Sequence, residues 1–244
     1  MKKSVKSFTL FAITILVPFI FASCLSTKTE SAVEKVYNNE KSGECDYIKI
    51  VEDTDYLHTD ISYPLFDKEQ ELSRTIKNTV ESDWKSFKAV AEKDWKKISA
   101  LNSKLPPYEY IVQSAVSYSG NIISVFLTTY RFSGGAHGET FIKTFNFDTK
   151  EKKLLNITEV SDYSFEELSD LSRKYIHNKL ISENKFEITG EEVNILTEMI
   201  DEGTLPIAGN FQNFTVDGNK LFIYFEQYKV APYSYGIQVV ELDL

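Results

Sequence analysis

Leu57, Thr59, Ile61 and Tyr63 alternate with His58, Asp60 and Ser62. A period of two marks a half-buried strand. Tyr47–Val51 predicts a strand before it, and Pro64 is expected to end it. The period then changes. Leu72, Ile76, Val80, Trp84, Phe87, Ala91, Trp95, Ile98, Leu101 and Leu105 follow steps of three and four, with Lys77, Glu81, Lys85, Lys88, Glu92 and Lys96 opposite. This predicts one long amphipathic helix, capped at Asp67 with Gln70 three residues on and stopped by Pro106-Pro107. Its Trp-bearing stripe reads as a face buried on a sheet rather than as a partner groove. Alternation returns from Tyr108 to Tyr118, turns at Ser119-Gly120-Asn121 and resumes over Ile122–Phe132. After the loop Ser133–Gly138, Thr140–Phe147 is a third strand, ending at Asp148-Thr149-Lys150. Ser164-Phe165-Glu166-Glu167 is a capping box, and the helix behind it carries Leu168, Leu171, Tyr175, Ile176 and Leu180. A shorter helix over Glu191–Ile200 is closed by Gly203 and Pro206, and strands follow at Phe211–Val216, Leu221–Gln227 and Ile237–Leu244. The expected fold class is α+β: an antiparallel sheet packed against one long and one or two shorter helices.

The first residues change the picture. Lys2, Lys3 and Lys6 precede Phe8–Ala22, which is almost wholly apolar and interrupted by Pro18. A basic start, a short apolar run and small residues after it form a secretory signal, too short for a comfortable spanning helix of about 20 residues. Phe21-Ala22-Ser23-Cys24 resembles a relaxed bacterial lipobox, which implies lipidation of Cys24 and a membrane partner through that anchor. Residues 1–23 are thus expected to be the signal peptide. Residues 24–45, rich in Ser, Thr, Lys, Glu and Asn, would be a flexible tether. Hydrophobic residues at 42% and charged residues at 26% describe an ordinary globular chain. Net charge is −9; without residues 1–23 it becomes −12, from 24 basic and 36 acidic residues. That balance argues against nucleic acid as a partner. Cys45 is then the remaining thiol and is read as incidental. The three histidines, His58, His137 and His177, lack ligand spacing, so neither a metal nor another cofactor is expected.

Three places carry candidate chemistry. In Ser133–Gly138, Gly134, Gly135 and Gly138 permit positive φ and close approach, exposed N–H groups could hold an anion, and His137 offers a proton donor. The loop joins two strands, so phosphate-loop and dinucleotide fingerprints do not fit, and an architectural hairpin loop is the plainer reading. Between Glu226 and Gly236, Tyr228, Tyr233 and Tyr235 surround Pro232. Such rings suit contact with a protein or a sugar, or else pack a crossover. Finally, Glu166, Glu167, Asp170, Glu183, Glu187, Glu191, Glu192, Asp201 and Glu202 form acidic helix faces. Two of these acids facing one cleft would suit a glycan hydrolase, but solvated faces explain them better.

Thr129 to Gly138, Phe145-Asn146-Phe147-Asp148, Leu155-Asn156-Ile157 and Phe222 to Tyr233 together resemble the extracytoplasmic domain of RsiV-like anti-sigma factors, a module also found in PdaC-type peptidoglycan deacetylases. The resemblance implies an α+β envelope domain with a PdaC-like sub-module at 46–132 and an RsiV-like one at 133–244. It implies recognition of lysozyme in the first group and envelope-glycan chemistry in the second. Neither a cytoplasmic sigma-binding segment nor a metal-dependent deacetylase domain is expected in this chain. The expectation is therefore a non-enzymatic, lipid-anchored envelope protein that binds a basic protein such as lysozyme, or peptidoglycan fragments. Gly134, Gly135, His137, Tyr228, Pro232, Tyr233 and Tyr235 are its expected contact residues. A glycan hydrolase with paired carboxylates and a purely structural lipoprotein are the alternatives.

Overall fold

A computed structural model describes residues 45–100, 106–183 and 188–244. The expected signal peptide, Cys24 and all of the expected tether but Cys45 lie outside the described residues, as do Leu101, Leu105 and Glu187. Cys45 is buried at the start of the described chain.

Strands β1 (Asp46–Asp53) and β2 (Leu57–Leu65) form an antiparallel pair. Helix α1 (Gln70–Ala100) then carries the chain back to β3 (Tyr108–Ser119), which lies parallel to β2. The sheet is therefore mixed where pure antiparallel pairing was expected. Parallel neighbours need a crossover of a dozen residues or more, and α1 is that crossover. Strands β4 (Ile122–Phe132), β5 (Glu139–Asp148) and β6 (Lys153–Leu154) add antiparallel neighbours, giving the order β1-β2-β3-β4-β5-β6. The chain passes residues 132 and 133 between two adjacent strands of this one sheet.

Two local expectations are corrected. Pro64 does not end β2, because β3 pairs with β2 only as far as Ile61. Beyond that point β2 has a single neighbour, so a residue without an N–H is tolerated. Asp67 does not cap α1, which starts at Gln70. Instead the Glu69 carbonyl accepts from Ser73 N, and the Ser73 hydroxyl bonds both backbone groups of Phe66. The α1 stripe does pack on the sheet. Leu72, Ile76, Val80 and Ala91 are buried with Ile61, Val112, Val125 and Phe145, and Trp84 Nε1 donates to Thr59 Oγ1 at 3.2 Å.

The second half begins with α2 (Ile157–Val160) and α3 (Phe165–His177). The Ser164–Glu167 capping box starts α3 as the sequence indicates. A π-helical turn over Asn178–Ser182 continues it, followed by α4 (Gly190–Gly203). Strands β7 (Phe214–Asp217), β8 (Lys220–Phe225) and β9 (Gln238–Asp243) form a separate antiparallel sheet. Its face of Phe214, Val216, Leu221, Ile223, Phe225 and Val240 packs with Leu168, Ile176, Leu196 and Ile200 into a second core.

The two sheets meet through polar groups. Strand β7 lies at the edge of its sheet, and its open backbone groups need partners. Side chains of the large sheet supply them: Ser124 Oγ accepts from Val216 N, Thr144 Oγ1 from Phe214 N, and Asn146 Nδ2 donates to Phe214 O at 2.8 Å. Ser117 Oγ donates to Val216 O, and Ser124 Oγ to Asn146 Oδ1.

Candidate functional site

Strand β6 pairs only with Phe147 and Asp148, so the outer edge of β5 is open at its start. The end of β8 closes it with side chains. Ile142 N donates to Glu226 Oε1 at 2.6 Å, and Thr140 N to Gln227 Oε1 at 3.3 Å. These two bonds bring the Tyr-rich segment beside the glycine loop.

There the two segments share one carbonyl. Gly138 O accepts from His137 Nδ1 and from Tyr233 Oη, each at 3.0 Å. A carbonyl only accepts, so Nδ1 carries a proton, and in the matching neutral tautomer Nε2 is the acceptor. The His137 and Tyr233 rings stack with centroids 3.9 Å apart and planes 23° apart. Tyr228 leans on Tyr233 at 5.8 Å and remains 54% exposed. Three rings thus form a ledge, with His137 and Tyr228 open to solvent.

Each support has a local cause. Gly134 and Gly135 take φ of +89° and +104°, and a Cβ there would meet nothing, so backbone freedom explains both. Gly138 is different: a Cβ would lie 2.5 Å from the Tyr130 ring. The Gly138 backbone is hydrogen-bonded to Tyr130, whose hydroxyl pKa is raised by burial first and then by Glu109 and Tyr233. On the other side Val230 and Ala231 are buried, and the Lys229 carbonyl fits against Gly203. Pro232 precedes a single 3₁₀ turn, Tyr233–Tyr235. Tyr235 is half-buried and packs against the second core.

Of the acidic residues, Glu167 and Glu192 cap α3 and α4, while Asp170 and Asp201 line one surface cavity and both pair with Arg173. Among the described residues no three His, Cys, Asp or Glu side chains group as a metal site. Sequence reasoning missed Tyr130, which reads as one more strand aromatic, and Glu226 and Gln227, whose strand-edge role is visible only once β5 is placed.

An α+β domain that joins a mixed sheet under one long helix to a smaller sheet under shorter helices is the class these observations define. Residues 50–140 match the family described as Deacetylase PdaC, and residues 157–244 match the protein family of unknown function DUF3298. The chain is of this PdaC/DUF3298 type. It is 26% identical over 217 residues to the peptidoglycan-N-acetylmuramic acid deacetylase PdaC of Bacillus subtilis strain 168, covering 89% of this chain and 44% of that protein. The chain thus matches less than half of that relative's length. A DUF3298-family crystal structure from Bacteroides fragilis shares the fold, with a TM-score of 0.55, 19% identity, 82% of this chain and 90% of its own. Another, from Pseudomonas aeruginosa PAO1, aligns over 88% of this chain and 89% of its own at 16% identity and a TM-score of 0.44.

These likenesses correct one expectation. The chain was expected to be non-enzymatic. Its first half instead matches a family described as a deacetylase, and its curated relative is a peptidoglycan deacetylase.

Proposed function

We propose that this chain serves peptidoglycan deacetylation at the bacterial cell envelope, and that the His137–Tyr233–Tyr228 ledge holds the glycan strand. The observation that carries this reading is the ledge itself, in a chain related to a deacetylase of that polymer. A pyranose ring has an apolar C–H face, and the electron-rich face of an aromatic ring is its natural partner. Tyrosine supplies that area with few rotatable bonds, so little entropy is lost on binding. His137 Nε2 adds an acceptor for a sugar hydroxyl or amide N–H.

The test is co-sedimentation of the chain with purified sacculi, with released acetate measured in parallel. Wild type is expected to sediment, and Tyr228→Ala to lose at least fivefold in retention with an unchanged melting temperature. Absence of wild-type retention would overturn the reading. If a basic lysozyme bound the chain instead, the ledge would belong to a protein partner. Acetate release would show whether the chain carries out the hydrolysis itself.

A further inference from the structure

The α3–α4 face contains a cavity of about 350 Å³ that shares no residue with the ledge. Small-ligand sites begin at about that volume. The charges on its wall divide into committed and uncommitted groups. Arg173 crosses from α3 to α4: Nη1 bonds Asp170 Oδ1 at 3.1 Å, and Nε lies 3.0 Å from Asp201 Oδ1. The Nε–H is not aimed at that oxygen, so the second contact is an ion pair rather than a hydrogen bond. One guanidinium thus holds both acids and offsets one of their two charges, and Lys174 brings the fixed charges of the wall to balance.

What remains uncommitted donates. The side chains of Lys174, His177 and Asn178 line the same cavity and make no hydrogen bond or ion pair among the described residues. Lys174 and Asn178 are four residues apart, so they lie on one face of the helix. Ile200 supplies an apolar wall. Asn178 is also the first residue of the π-helical turn, where Glu183 N bonds Asn178 O at 2.8 Å.

We propose that this cavity binds a small carboxylate, with Lys174 as the counter-ion, His177 and Asn178 as hydrogen-bond donors, and Ile200 against the ligand's apolar part. The carboxylate chemistry comes from the cavity. Its two candidate sources rest on the peptidoglycan reading: the end of a stem peptide, or the lactyl group of N-acetylmuramic acid.

The experiment is calorimetric titration of the full chain with acetyl-D-alanyl-D-alanine, its C-terminal amide, N-acetylmuramic acid and N-acetylglucosamine. One of the two acids is expected to bind at least tenfold more tightly than its uncharged counterpart, which identifies the source. Lys174→Ala and His177→Ala should each weaken that binding at least fivefold without lowering the melting temperature. Equal affinity for acid and amide, no heat from either acid at millimolar concentration, or an unaffected Lys174→Ala variant would overturn the proposal. Retention on sacculi is a separate readout. If it persists while both acids fail, the cavity proposal falls and the peptidoglycan reading stands. If the reverse holds, the peptidoglycan reading falls and the carboxylate site stands.

Discussion

Tyr228 has φ of +66°, a left-handed conformation that glycine adopts freely and a residue with a Cβ does not. Its surroundings hold it there. Lys229 N closes a turn onto Glu226 O at 3.0 Å, and buried Val230 and Ala231 fix the chain just beyond. The side chain lies mostly in solvent, so burial does not account for keeping a tyrosine at this position, whereas a role for the exposed ring does. Comparing Tyr228→Gly with Tyr228→Ala separates backbone from ring, since both remove the ring and only alanine keeps the Cβ. The glycine variant should be the more stable by about 1 kcal/mol in denaturant titration. Both should lose retention on sacculi to the same degree. Equal stability would mean the backbone is unstrained, and retained binding by either would remove the ring from the site. Little of this was legible in the sequence. The run of tyrosines around Pro232 marked the segment, but tyrosine does not signal a positive φ, so the turn that aims the ring gave no cue.

Helix starts were more legible than helix ends. Ser164 and Glu167 form a capping box in the sequence and in the structure, because spacing alone sets that bond. The same spacing at Asn156–Glu159 and Thr189–Glu192 gives two further boxes that could have been read and were not. The π turn after α3 has no such signature, since it depends on how Leu180 reaches the second core. The boxes make these helices sensitive to acid. Backbone hydrogen bonds from Ser164 and Thr189 hold the Glu167 and Glu192 carboxyls below the usual range. For Glu159 the Lys153 side chain is the larger cause and the Asn156 backbone the second. A carboxyl whose pKa is lowered by folding adds stability above its unfolded value of about 4.3, and loses it as pH falls through the folded value. Melting temperature should therefore drop below about pH 4, and Glu167→Gln with Glu192→Gln should flatten that drop, because glutamine caps without titrating. An unaltered pH profile in the double variant would show that these caps are not what acid releases.

At the scale of the whole molecule, the pattern of apolar positions located one face of the large sheet and misplaced the other. Ile123, Val125 and Leu127 were legible as core because they alternate. Ser124, Thr144 and Asn146 occupy the intervening positions, which alternation assigns to solvent, yet all three are buried. They are polar because what covers them is the open backbone edge of β7 and not another apolar face. Sequence periodicity registers apolar burial and cannot register a hydrogen-bonded strand edge. Asn146 is central to this seam, accepting from Ser124 Oγ at 2.6 Å and donating to Phe214 O at 2.8 Å. Asn146→Ala removes both bonds at once and leaves the buried Phe214 carbonyl without that donor, at roughly 1–3 kcal/mol for each orphaned group. The two apolar cores join across this seam, so its loss should act on their coupling as well as on total stability. Wild type is expected to unfold in one transition. Asn146→Ala should lower the midpoint and separate the tryptophan fluorescence of the Trp84-bearing first core from exchange protection in α3 and α4. The second core has no tryptophan among its described residues, so selectively excited tryptophan emission reports on the first. Coincident unfolding by both probes in the variant would mean that contacts outside this seam, such as Phe126 against Tyr224 at 4.5 Å, suffice to hold the two sheets together.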